Sequence, residues 1–228
     1  MNVTDLFRAT FHHFKLAVSW WRCHWWDWRH RVTTCGDVGR ELLQIDSLCR
    51  HYVPTHHLTI AAVLKALPYY EGLDFVDWGS GKGRVILMAS EYPFRSVTGI
   101  EVDPNLHRQA VENIRRYRGK CRSVARSLCI DARSYRPESS GAVHFFFAPF
   151  NQPLMEEILG GLFADLRKHP REFFVIFTSP EMKDIVDRTG LFFRWNEGPY
   201  WTIWRSHERR SRLPLEDAVG QSTTPPGR

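Results

Sequence analysis

The sequence predicts an α/β fold: a mostly parallel seven-stranded sheet with an antiparallel last strand, helices on both faces and a helical N-terminal extension. Three observations carry this. From Leu73 onward, short apolar runs alternate with helix-length amphipathic stretches, the pattern of a parallel sheet whose crossovers are helices. The first run, Phe75-Val76-Asp77-Trp78, breaks into alternating glycines at Gly79, Gly81 and Gly83 and resumes as Val85-Ile86-Leu87-Met88-Ala89, a strand–turn–helix junction. The last two runs lie either side of Asn196-Glu197-Gly198-Pro199, a hairpin that reverses the final strand.

In chain order, Phe7, Phe11, Phe14, Val18, Trp21, Trp25 and Trp28 recur at steps of three and four, the spacing of one helical face. That face is expected to dock on the domain. Trp with Arg also suits a lipid headgroup boundary, which leaves peripheral membrane contact as the sharper alternative. Helices are expected over Val38–Arg50 and Thr55–Leu67, broken at Val53-Pro54 because proline disfavours helix in the residue before it, with Thr55 as cap. Strand Leu73–Asp77 then leads to helix Lys82–Tyr92, and strand Ser96–Glu101 to helix Pro104–Arg118. A weaker strand over Ser123–Ile130 precedes strand Ala142–Phe147, helix Pro153–Lys168, strand Glu172–Thr178 and helix Pro180–Arg188. Strands Leu191–Trp195 and Tyr200–Arg205 form the hairpin. These elements divide the chain into a helical extension and lid (1–68), an α/β domain (69–206) and a Ser/Thr/Pro/Gly-rich, disordered tail (207–228).

The net charge of +6 permits nucleic acid, acidic protein or anionic lipid as partner without selecting one. Five cysteines, an odd number with no C-x-x-C pair, predict no disulfide framework and no zinc knuckle. No apolar run reaches the roughly 18–20 residues of a membrane-spanning helix, and His12, His13 and Lys15 interrupt any signal-peptide pattern, so a reducing cytoplasm is expected. His56, His57 and His144 lack partners at metal-ligand spacing and read as structural; no metal site is expected.

Glu101 ends the second apolar run 22 residues after Gly79. A carboxylate about 20 residues past a glycine turn is placed to accept from ribose hydroxyls, so the pair reads as a nucleoside-cofactor site. A phosphate-binding P-loop fails here, because Val76 stands where its first glycine belongs and Gly83 where Ser or Thr belongs. A dinucleotide turn wants G-x-G-x-x-G, yet Arg84 holds the place of the third glycine and Asp77 would face a pyrophosphate.

The stretch FVDWGSGKGRVILMAS is similar to the first motif of class I S-adenosylmethionine-dependent methyltransferases, whose fold is Rossmann-like. VTGIEVDPNLHRQAVENIRRY resembles their second motif, Asp131-Ala132 the acidic position after strand three, and Phe145-Phe146-Phe147-Ala148-Pro149-Phe150-Asn151 the segment after strand four. Within the family the chain is most similar to bacterial members with a D-x-G-S-G-K-G-R turn, and more distantly to non-SET histone-lysine methyltransferases. The resemblance covers roughly residues 73–205, with Tyr52–Thr55 as a preceding lid. It implies S-adenosyl-L-methionine as cofactor, held by Asp77, Gly79, Ser80, Gly81, Gly83, Glu101, Val102, Asp131 and Ala132. Glu101 would hold the ribose and Asp131 the adenine amine. Phe147, Pro149, Asn151 and Tyr52 would stand beside the acceptor, although Asn151 reads equally well as a helix cap, Gly83 as a helix-packing glycine, and Phe147 and Tyr52 as core or lid packing. Ala148 stands where amino-methylating nucleic-acid enzymes carry Asn or Asp, and the strand-four loop has no cysteine for cytosine-carbon chemistry. The expected acceptor is a protein lysine or a small molecule, with RNA, or a non-catalytic cofactor-binding role, as alternatives.

Overall fold

A computed structural model describes residues 20–39, 49, 52–137, 141–178 and 182–207. The sheet has seven strands: β1 (Asp74–Trp78), β2 (Ser96–Glu101), β3 (Ala125–Cys129), β4 (Gly141–Phe146), β5 (Glu172–Phe177), β6 (Phe192–Gly198) and β7 (Trp201–Ser206). Their order is β3-β2-β1-β4-β5-β7-β6. β1 to β5 run parallel, while β7 is antiparallel to both β5 and β6. This is the predicted Rossmann-like arrangement.

Helical residues 20–30 form α1. They are followed by α2 (His57–Ala66), α3 (Arg84–Ala89), α4 (Pro104–Arg116), α5 (Gln152–Lys168) and α6 (Lys183–Asp187). Successive strand residues face opposite sides of a sheet, and the core splits accordingly. Phe75, Val143, Phe145, Phe174, Ile176 and Ile203 pack against α2 and α3. Val76, Trp78, Phe146, Val175, Phe177 and Trp204 pack against the apolar stripe of α5. Three central strands buried on both faces explain their unbroken apolar runs.

Several boundaries moved for identifiable reasons. Gly83 adopts a left-handed φ of 88°, so α3 begins at Arg84 rather than Lys82. Asp103 accepts hydrogen bonds from the amides of Asn105 and Leu106, and with Pro104 at the first helical position it fixes the start of α4. His56, not Thr55, caps α2. β6 continues to Gly198 because a bulge between Arg194 and Asn196 lets Asn196 and Glu197 pair with Ile203 and Thr202, which shortens the hairpin turn. Val38 is not helical; it pairs with Tyr52 in an isolated antiparallel bridge. The remainder of the helix expected over Val38–Arg50, the aromatic positions Phe7 to Val18 and the tail beyond His207 lie outside the described residues. No helix among the described residues is long and apolar enough to cross a membrane.

His144 on β4 is fully buried between sheet and α5, stacked on Phe173 at 4.2 Å. Trp78 Nε1 donates to its Nδ1 at 3.2 Å, which puts the proton of the neutral ring on Nε2. Burial pushes its pKa down to about 3. The unfolded ring titrates near 6.5, so between those two values unfolding takes up a proton and stability is lost as pH falls, by about 1.4 kcal/mol per unit. His144→Asn, which keeps an acceptor for Trp78, is expected to flatten the acid limb of a urea-midpoint-versus-pH curve. An unchanged limb would refute this account.

Candidate functional site

The connections from β1 and β4 leave the sheet in opposite directions, and a cavity of about 260 Å³ lies at the carboxyl ends of β1, β2 and β4. This switch point is where open α/β sheets place ligands. Of the residues expected there, Tyr52, Asp77, Gly79, Ser80, Glu101, Val102, Asp131, Ala132, Phe147 and Pro149 line the cavity, while Gly81, Gly83 and Asn151 do not.

Each glycine of the turn has a left-handed φ, and each serves a different neighbour. A Cβ on Gly79 would stand 2.4 Å from Cβ of Pro149, so this glycine lets the strand-four loop close over the turn. A Cβ on Gly81 would enter the Tyr52 ring at 2.2 Å. One on Gly83 would press on Ala110 of α4 at 3.2 Å, which makes it a helix-packing position. Gly79, which lines the cavity, therefore makes room for Pro149, and Gly81 for the Tyr52 ring.

Glu101 is 6% exposed and ties this turn to the end of β2. One carboxylate oxygen accepts from the amide of Gly81 at 2.7 Å; the other accepts from Val102 and Asp103, both at 2.9 Å. A carboxylate offers about four acceptor sites, so roughly one is left for a ligand. Burial raises the pKa of Glu101, and the three amides oppose that shift. Asp77 is 3% exposed; burial, and then the charge of Glu101, push its carboxyl well above the usual range. Ser80 is buried with a hydroxyl that has no hydrogen-bond partner among the described residues. Asp131 caps the short 3₁₀ turn Ala132–Ser134 and pairs with Arg133, which lowers its pKa.

The residues expected on the acceptor side occupy different places. Phe147 and Pro149 stand in the wall beside Ala148, whose φ is 40°. Asn151 caps α5, accepting from the Leu154 amide at 3.2 Å, and takes no part in the cavity. Tyr52 stands in the wall, but its hydroxyl donates to the Thr34 carbonyl at 2.7 Å and burial pushes its pKa up, so it braces the turn and is not poised to accept a proton. Cys49 pairs by backbone with Phe150 and lines the cavity, bringing a thiol to the loop from another segment.

What the sequence analysis missed is a buried network joining the N-terminal segment to the turn. Lys82 Nζ donates to the carbonyls of Cys35 and Gly36 at 3.0 and 3.1 Å. Arg84, 3% exposed, donates from Nε to Thr34 Oγ1, from Nη1 to the Thr55 carbonyl and from Nη2 to Asp27. Asp27 also accepts from the amides of Thr34 and Cys35 and from the Thr34 hydroxyl. Asn113 of α4 holds Thr33 through its amide and carbonyl, and the Lys82 carbonyl besides. The basic pair of the G-K-G-R turn is thus spent on structure. Cys23 and Cys35 form a disulfide, which corrects the expectation drawn from cysteine number and spacing. With His24 they are the one group of potential metal ligands found among the described residues, and the Arg84 guanidinium, 2.9 and 3.0 Å from the two sulfurs, opposes a cation there.

The sequence matches no protein-family model, and none of the curated proteins matches it. Among solved structures it is similar to an RNA methyltransferase from Salinibacter ruber in complex with S-adenosyl-L-homocysteine, at 19% identity and TM-score 0.45, covering 68% of this chain and 92% of that one. It is also similar to magnesium protoporphyrin IX methyltransferase from Synechocystis with bound S-adenosylmethionine, at 13% identity and TM-score 0.42, covering 65% and 74%. A third is a TehB-like S-adenosylmethionine-dependent methyltransferase from Corynebacterium glutamicum, at 14% identity and TM-score 0.42, covering 68% and 90%.

Proposed function

We propose that the chain is an S-adenosylmethionine-dependent methyltransferase acting on a protein lysine or a small molecule. One observation carries the reading: three carboxylates, Asp77, Glu101 and Asp131, converge with the glycine turn on a single cavity at the switch point of the sheet. Two arginines also line the cavity, but Arg84 is paired with Asp27 and Arg133 with Asp131, so the lining suits a ligand that is cationic and phosphate-free. The Ser80 hydroxyl, which has no hydrogen-bond partner among the described residues, fits such a ligand. When bound, the cofactor supplies an electrophilic methyl group on a sulfonium sulfur.

The residues of the chain then position and shield. Asp77 complements the positive charge of the cofactor, the spare lone pair of Glu101 receives a ribose hydroxyl, and the Asp131–Ala132 corner meets the adenine. Phe147, Pro149 and Phe150, with Val53 and Cys49, give the acceptor side an apolar wall that excludes water. Such a wall suits an aliphatic amine arm or a small apolar molecule better than a hydrated phosphate backbone. Catalysis here rests mainly on alignment of acceptor and sulfonium.

Calorimetric titration with S-adenosylmethionine tests the site. Glu101→Gln, which turns an acceptor into a donor facing an amide, should weaken binding about 10- to 100-fold, the loss expected for a hydrogen bond to a charged group. Wild-type affinity in that variant would overturn the assignment. Methyl-labelled cofactor incubated with fractionated lysate tests the acceptor: label in protein or small molecules supports the reading, and label confined to RNA defeats it.

A further inference from the structure

We propose that the outward face of α1 is a docking surface for an anionic phospholipid bilayer. The inward face of this helix is fully used. Trp26 packs against Tyr117 and under Arg84, His30 stacks on Tyr117, Asp27 holds Arg84, and Cys23 is bonded to Cys35. The face expected from the aromatic spacing to dock on the domain instead points away from it. Trp20, Trp21, Trp25 and Trp28 are 63%, 60%, 48% and 75% exposed. At 100° per residue these four indoles span an arc of about 140°. Four tryptophans exposed together on one helix exceed the scattered apolar side chains of an ordinary surface.

The exposed charges of α1 are of one sign. Arg22 and Arg29 lie together beyond the Trp25 edge of that arc and are exposed, as is Arg31 just beyond the helix, while Asp27, the sole acid between Trp20 and Arg31, is buried inward. The patch extends onto the loop after α4. The amide of Arg118 donates to the His30 carbonyl at 3.2 Å, and Arg118, Lys120 and Arg122 are all exposed there. An apolar centre with arginines at its border is the organisation of a helix lying in the headgroup region, indoles toward the acyl chains and guanidiniums on lipid phosphates. A groove for single-stranded nucleic acid interleaves bases and cations along a track instead. In the sequence the same three- and four-residue spacing continues upstream through Phe14 and Val18. The inference is independent of the cofactor reading.

The test is flotation of the full-length protein with phosphatidylcholine vesicles, with and without phosphatidylglycerol. A variant carrying Trp20→Ser, Trp21→Ser, Trp25→Ser and Trp28→Ser is run beside it. Far-UV circular dichroism and thermal melting confirm that the variant is folded, since none of the four tryptophans supports the core. The wild type should float with anionic vesicles at least about tenfold more than the variant and more than with neutral ones, and brominated lipid should quench its fluorescence. The proposal is overturned if the wild type fails to float with anionic vesicles, or if the folded variant floats equally well. Tryptophan-dependent dimerisation or RNA-oligonucleotide binding in place of vesicle binding overturns it too, and would assign the face to a second copy or to nucleic acid.

Discussion

Arg84→Met is expected to lower folding stability by about 3–5 kcal/mol, the cost of leaving a buried charge without its partner. The guanidinium reaches three segments: Asp27 in α1, Thr34 in the following loop and Thr55 before α2, tying the last of these to the pair that Asp27 already joins. With methionine in its place, the Asp27 carboxylate keeps the Thr34 and Cys35 contacts but loses its compensating charge while remaining buried. Burial lowers the pKa of Arg84 and Asp27 opposes that shift, the signature of an ion pair held out of water. Urea midpoints of the wild type, R84M, D27N and the double variant separate the terms. The double variant should recover a large part of the loss, because it removes both charges together. Limited proteolysis should cut residues 31–39 of R84M far faster than those of the wild type. If R84M unfolds within 1 kcal/mol of wild type, the network does not hold the N-terminal segment.

That network also marks the border of what the sequence could disclose. The glycine turn and the succession of strands and helices along the chain were legible because each depends on neighbours in the chain. Strand β2 matched its expected limits, Ser96–Glu101, since Asp103-Pro104 dictates where the next helix begins. Lys82 and Arg84, by contrast, find partners 29 to 57 positions away, and no local period encodes such pairings. One signal was available: Asp27 is the lone acid in a run of arginines, histidines and tryptophans, a residue with no reason to be there unless it answers a buried cation. For Trp21, Trp25 and Trp28 the aromatic spacing gave a shared face but not its polarity, because a 3.6-residue period says which residues share a face and not whether that face meets protein or solvent. Asn151 illustrates the reverse case: a cap before a proline-containing helix is a local pattern, readable from its neighbours, and the structure shows that cap.

Asp77→Asn should move stability and cofactor affinity in opposite directions. The carboxyl of Asp77 is buried beside Glu101 and its folded pKa lies well above the value of about 3.9 for an unfolded chain. Between those two values the unfolded state is ionised while the folded state keeps the proton. Unfolding therefore releases a proton, and the contribution of this group to stability, full below the unfolded pKa, is lost as pH rises through the folded one, by about 1.4 kcal/mol per unit. Asparagine has nearly the same shape and no charge to bury, so D77N should melt higher than wild type at neutral pH, with the gain vanishing near pH 4. His144 works against this over part of the range with the opposite slope, which is why the wild-type-minus-D77N difference, and not either curve alone, reports on Asp77. A cationic cofactor reverses the preference. It favours the ionised carboxylate, so its binding should expel the proton, and affinity should rise with pH across the same interval in the wild type while staying flat and weaker in D77N. Calorimetry in two buffers of different ionisation enthalpy reads the released proton directly. A variant that melts lower than wild type and binds S-adenosylmethionine as tightly would show that Asp77 neither bears a burial cost nor faces the cofactor. The trade between stability and binding at this one position would then be gone.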